Sequence, residues 1–240
     1  VFAAALRTTF ILPLVLEAFN AVFAPMIADL TQRRDLARLE DLFKVVTKWT
    51  VTVSLPAFLL LVFFGRRILG LWGDGYAEGL TCLVLIGVGQ LVNCATGPVG
   101  YMISMSGRTG ISLANAGGVL ALNVILNLAL IPRCGMMGGA AALSGSMAAV
   151  NLVRLIEVRW ILGMHPYRLD VLKPVAAASL AFAAAALSRS GAALVGGELP
   201  ADILGALVFS GGYAAALVAL GIGKEDRLVF ARLKRKFGPS

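Results

Sequence analysis

Apolar residues run through this chain in long blocks divided by short polar breaks, without strict alternation of apolar and polar positions. Seven blocks stand out: 2–28, 49–64, 80–103, 112–131, 137–153, 175–187 and 203–222. A helix crossing the hydrocarbon core takes about 20 mostly apolar residues, whereas a membrane barrel needs period-two segments. The pattern predicts an all-α integral membrane protein, a polytopic helical bundle of seven transmembrane helices. Pro13, Pro25 and Pro56 predict bends in the first two spans. The short, Gly-rich loop 132–139 makes spans four and five antiparallel neighbours. Ala177, Ala181 and Ala185, with Gly211 and Gly212, predict close helix packing in the last two spans. In segment 31–48, Leu36, Leu39, Leu42, Phe43 and Val46 recur at helical spacing among Arg34, Arg38, Glu40 and Asp41. It reads as an amphipathic helix at the membrane interface or as an extension of span two.

Composition sharpens this picture. Of 240 residues, 59% are hydrophobic and 14% charged, with a mean hydropathy of +0.87. A soluble domain carries about 25% charged residues, and no polar stretch here reaches the roughly 50 residues such a domain needs. The net charge of +8 is unevenly placed. If 31–48 is cytoplasmic, alternation puts 104–111, 154–174 and 223–240 on the same side. Sixteen of the 21 lysines and arginines then lie inside, and five (Arg7, Arg66, Arg67, Arg133 and Arg189) lie outside. This positive-inside bias predicts a multi-pass protein of the cell inner membrane, N-terminus outside and C-terminus cytoplasmic. It also accounts for the charge without nucleic acid. The chain opens on Val1 with no charged leader or cleavage site. This is expected of the C-terminal portion of a larger membrane protein, with mature processing as the alternative.

Catalytic chemistry is sparse. His165 stands alone in a loop, and Cys82, Cys94 and Cys134 lack metal or redox spacing. No catalytic residue, metal or cofactor is expected. Polar residues inside the spans say more. Glu17 falls mid-span, a costly place for an ionisable group, with Asn20 three residues on. Gln90, Asn93, Gly97 and Tyr101 are spaced to form one stripe in span three. Asn115, Asn123 and Asn127 form another within about 120° of arc in span four. Two amide stripes suit a wet cavity that binds sugar hydroxyls or phosphate; amide-to-amide bonding between helices is the alternative. Arg66, Arg67 and Arg133, at the outer ends, are candidates to attract an anionic headgroup or to snorkel to the interface.

These residues in order carry a resemblance. The stretch 23–30 reads FAPMIADL and is followed by a basic linker with Leu39, Glu40, Leu42, Phe43 and Lys44. Then come Ser54, Leu55 and Pro56; Ile68 and Leu69; Gly73, Gly75 and Tyr76; Gly89, Gln90, Leu91 and Asn93; and Thr96, Gly97, Gly100, Tyr101 and Met102. Asn115, Leu122, Asn123, Asn127, Ile131, Pro132, Gly135 and Gly138 complete it. Over about residues 20–155 the chain resembles the C-terminal half of the polysaccharide and oligosaccharide (O-antigen type) flippases, of the multidrug/oligosaccharidyl-lipid/polysaccharide exporter superfamily. The resemblance implies a fourteen-helix transporter with two lobes around a central cavity. Residues 1–157 would hold five helices of the second lobe, with the linker 31–48, and 158–240 the two extra C-terminal helices and a basic tail. It also implies translocation of polyprenyl-pyrophosphate-linked oligosaccharide for cell-surface polysaccharide, such as lipopolysaccharide, by alternating access. Implied partners are that substrate, membrane lipids, an N-terminal lobe, and polysaccharide polymerase or glycosyltransferases. Alternatives are an ion-coupled multidrug exporter of the same superfamily, a membrane-embedded glycosyl or acyl transferase, and a non-transporting component of a polysaccharide synthesis complex.

Overall fold

The computed structural model describes residues 1–219, and every regular element among them is helical. The expected tail 223–240 and the last residues of block 203–222 lie outside the described residues. The order is α1 (Phe2–Thr9), α2 (Ile11–Gln32), α3 (Leu36–Gly70), α4 (Leu80–Thr96), α5 (Val99–Met105), α6 (Thr109–Leu162), α7 (Leu172–Gly196) and α8 (Glu198–Ala219). Among the described residues, six helical stretches are long and apolar enough to cross a membrane. The 54-residue α6 turns on Gly135 (φ 55°, ψ −130°) and folds back on itself. Seven apolar arms result, one for each block in the sequence.

Proline and glycine place the breaks. Pro13 has no N–H to give the carbonyl of Thr9, and its ring crowds that carbonyl; α1 accordingly ends at Thr9. Residues 80–103, expected as one span, are cut at Gly97–Pro98. Gly97 takes φ 69° and Pro98 starts the short α5. Residues 36–48 are the first turns of α3 and run unbroken into the span, with Leu39, Phe43 and Val46 buried. Asp35 caps this helix by accepting from the Arg38 N–H.

The chain forms two compact units, Val1–Arg168 and Leu169–Ser240. In the first, α4 packs against α1, α2, α3 and α6. One apolar cluster includes Ala4, Leu12, Leu61, Leu83 and Ala140. A second joins Ile27, Leu39, Phe43, Met102, Val158 and Met164. The second cluster gathers the end of α2, the start of α3, α5 and both ends of α6. Segments 31–48, 104–111 and 154–168 therefore meet at one end of this unit.

At that end the Lys44 ammonium lies 2.7 Å from Glu40, and His165 Nε2 lies 3.9 Å from the same carboxylate. The hydrogen bond from Lys44 holds the Glu40 carboxyl below its ordinary 4.5, with lesser help from the charges of Lys44 and His165 against a desolvation penalty. A depressed carboxylate stabilises the fold above its unfolded pKa, and the contribution is lost as pH falls through the folded value. Glu40→Gln is therefore expected to lower the melting temperature above pH 4.5. The gap to wild type should close as the pH is taken below that, in parallel melts from pH 7 to pH 3. A gap that stays constant across the range contradicts the pairing.

In the second unit α7 and α8 form an antiparallel hairpin. Ala177, Ala181 and Ala185 are buried, and Gly212 faces Ala181 closely enough that an added Cβ would sit 3.8 Å from it. Gly211 faces open space. Phe182 meets Phe209 edge-on, Phe209 stacks on Tyr213, and Arg189 pairs with Asp202 at 2.6 Å.

Candidate functional site

The first unit places most of the intramembrane polar groups. Glu17 is exposed on α2, and the Tyr101 hydroxyl of α5 donates to its Oε2 at 3.3 Å. Asn20, three residues on, differs from it in burial. Asn20 is 2% exposed, and its Oδ1 has no partner. Gln90 Oε1 is likewise buried and unpartnered. A buried oxygen without a donor costs about 1–3 kcal/mol, so these atoms accept a bond from any water or hydroxyl that reaches them. Asn93 is half-buried on α4. Because the helix stops at Thr96, the expected stripe from Gln90 to Tyr101 is divided between α4 and α5.

The second stripe is tied across the α6 hairpin. Asn123 Nδ2 donates to Ser146 Oγ at 3.0 Å and to the Ala142 carbonyl at 3.5 Å. Asn127 Nδ2 donates to Asn123 Oδ1 at 2.9 Å. Asn115, 8% exposed, donates to Glu157 Oε2 at 2.6 Å. Across the hairpin the amides of Asn115 and Asn123 thus bond a carboxylate, a hydroxyl and a carbonyl rather than other amides, and the one amide-to-amide bond, Asn127 to Asn123, stays within one arm. The bonds across the hairpin join two arms whose backbones approach closely at Gly138. Arg66, Arg67 and Arg133 are exposed at the other end of the unit, away from the Glu17–Tyr101 pair. There Arg7 also lies over the Trp72 ring at 5.9 Å.

Two acidic groups fall outside the residues singled out by spacing. Glu157 belongs to the second arm of α6, which runs beyond residue 153 to Leu162. Its signal is the apolar run 152–162, interrupted only by Arg154, Glu157 and Arg159. Asp202, 4% exposed, lies one turn into α8 opposite Arg189; a lone acid near a helix start carries no signal by itself.

No protein-family profile matches the chain, and no curated protein matches it. Among solved structures it is similar to the lipid II flippase MurJ in an inward closed conformation, with a TM-score of 0.67 and 15% identity over 89% of this chain. That match covers 46% of the flippase, so the chain spans about half the length of its structural neighbour. The likeness is one of fold: an all-helical architecture of long apolar helices.

Proposed function

We propose that this chain forms part of a flippase that carries a polyprenyl-pyrophosphate-linked oligosaccharide across the cytoplasmic membrane. The observation that carries this reading is the shared fold with a flippase of lipid II. A large polar headgroup cannot cross hydrocarbon unaided, because every unpaired polar group costs several kcal/mol there. A polar cavity opened alternately to each side removes that barrier. In this reading the Glu17–Tyr101 pair, with Asn93 nearby along the chain, faces the cavity. The bonded amides Asn115, Asn123 and Asn127 hold its wall, and the unpartnered oxygens of Asn20 and Gln90 take water or sugar hydroxyls. The end that gathers 31–48, 104–111 and 154–168 is cytoplasmic, in line with its basic residues. Residues 1–157 supply lobe helices, and the last two helices are additions to that lobe.

The test is flipping by the intact protein reconstituted in vesicles with a labelled polyprenyl-pyrophosphate oligosaccharide, read as glycan that becomes accessible to an external reagent. Glu17→Gln with Tyr101→Phe is expected to slow flipping about tenfold. Losing a hydrogen bond to a charged group removes about 1.5–3 kcal/mol, and about 1.4 kcal/mol is a factor of ten. Wild-type vesicles that leave the glycan inaccessible overturn the function. A double variant flipping at wild-type rate overturns the site. A second reading, an ion-coupled multidrug exporter, draws on the exposed Glu17 carboxylate. Drug efflux driven by an imposed ion gradient, without glycan movement, would establish it instead.

A further inference from the structure

The second arm of α6 carries an arginine that the bonding of the unit does not use. Arg154 is half-buried. It sits between Asn151 (3% exposed) and Val158 (0%) on the face turned into the unit, whereas Leu152, Val153 and Ile156 occupy the outward face. An arginine that only snorkelled to the interface would belong with those three. The guanidinium instead lies over the bare side of Gly100 on α5, where an added Cβ would be 3.6 Å from Nη1. Among the described residues no carboxylate pairs with it. Glu157, one turn on, accepts instead from Asn115. A guanidinium held on an inward face without an anion is expensive, and its planar fork matches phosphate oxygens two at a time.

We propose that Arg154, in the notch left by Gly100, is a binding site for the phosphate of a lipid headgroup. The site lies at the end of the unit where α5 and the second arm of α6 meet. This deepens the flippase reading: it gives this chain a contact of its own with the phosphate-bearing part of a lipid-linked substrate. Bound phosphate would satisfy the fork, and the lipid chain would extend toward the bilayer.

Binding, not transport, is the measurement, so this proposal and the flippase reading fail separately. Purified full-length chain in detergent is titrated with polyprenyl pyrophosphate and, in competition, with phosphatidylglycerol and with inorganic pyrophosphate. Arg154→Gln is expected to weaken binding about tenfold, the scale of one lost charged contact. Arg154→Lys, which keeps the charge without the fork, should fall between the two. Gly100→Leu keeps the arginine but fills its notch and should weaken binding as much as Arg154→Gln. Melting curves of all three serve as the folding control, and Gly100→Leu or Arg154→Lys carries the test if Arg154→Gln does not fold. Competition by phosphatidylglycerol assigns the site to bulk lipid, and competition by pyrophosphate alone assigns it to the lipid-linked substrate; either supports a phosphate site. Binding by the variants equal to wild type, or no binding by wild type, overturns it.

Discussion

Gly97→Ala is expected to destabilise the first unit by about 3–5 kcal/mol, through two separable effects. Gly97 adopts φ 69° and ψ −155°, a backbone conformation that a residue with a Cβ enters only under strain. Its missing Cβ also faces Thr47 of α3, whose own Cβ would be only 3.0 Å away. Thr47 cannot turn aside freely, because it is fully buried and its hydroxyl donates to the Phe43 carbonyl at 2.8 Å. Adding Thr47→Ala to Gly97→Ala removes the hydroxyl and methyl beside the new carbon but leaves the backbone strain. The double variant should therefore recover part of the loss, about 1–2 kcal/mol, and no more. Reversible unfolding of the purified protein in mixed micelles measures both steps. A Gly97→Ala protein within about 0.5 kcal/mol of wild type, the range of an ordinary surface change, would show that neither effect operates.

The same glycine marks a break that the hydropathy pattern does not display. Block lengths and loop charges made the seven apolar arms legible, because span length is set by the bilayer and each arm keeps its apolar run. The cut at Gly97–Pro98 was not, since the apolar run continues through it and hydropathy carries no record of φ. Pro13 gave a bend, but the break falls four residues upstream, at the carbonyl its ring displaces. The candidate polar residues were visible as residues inside apolar runs. Their partners were not, because spacing places a side chain on a face without saying which helix that face meets. Asn123 thus meets Ser146 on the other arm of α6, Asn127 turns back to Asn123 on its own, and Tyr101 crosses to Glu17, a pairing 84 positions apart in the chain. Arg154 and Glu157 lie past the apolar block 137–153, which closes at the first charge. The helix continues, and their positions on the inward face follow from its turn, not from their charge.

The other large effect belongs to the hairpin that holds those amides. Gly138→Ala is expected to cost more than any other single change in α6, because its new Cβ would fall on the backbone of the opposite arm at Leu130 and Ile131, 2.9 Å from the Ile131 nitrogen. A flexible side chain can move away; a helical backbone in a tight turn moves only by parting the arms. Separation would stretch the bonds from Asn123 to Ser146 and from Asn115 to Glu157, leaving a part-buried carboxylate without its donor. The overpacking alone costs about 1–3 kcal/mol, and the lost charge-assisted bond to Glu157 adds about 1.5–3 kcal/mol. Gly145→Ala, in the same arm, is the internal comparison. Its Cβ would meet only Leu126 Cδ1 at an ordinary 3.7 Å. That variant should gain about 0.5–1 kcal/mol from the better helix propensity of alanine. Opposite signs for the two substitutions, in the same unfolding measurement, would locate the close crossing at Gly138. Equal small gains at both would mean the arms lie farther apart than the hydrogen bonds of Asn115 and Asn123 require. The wall of amides would then have nothing to hold it in register.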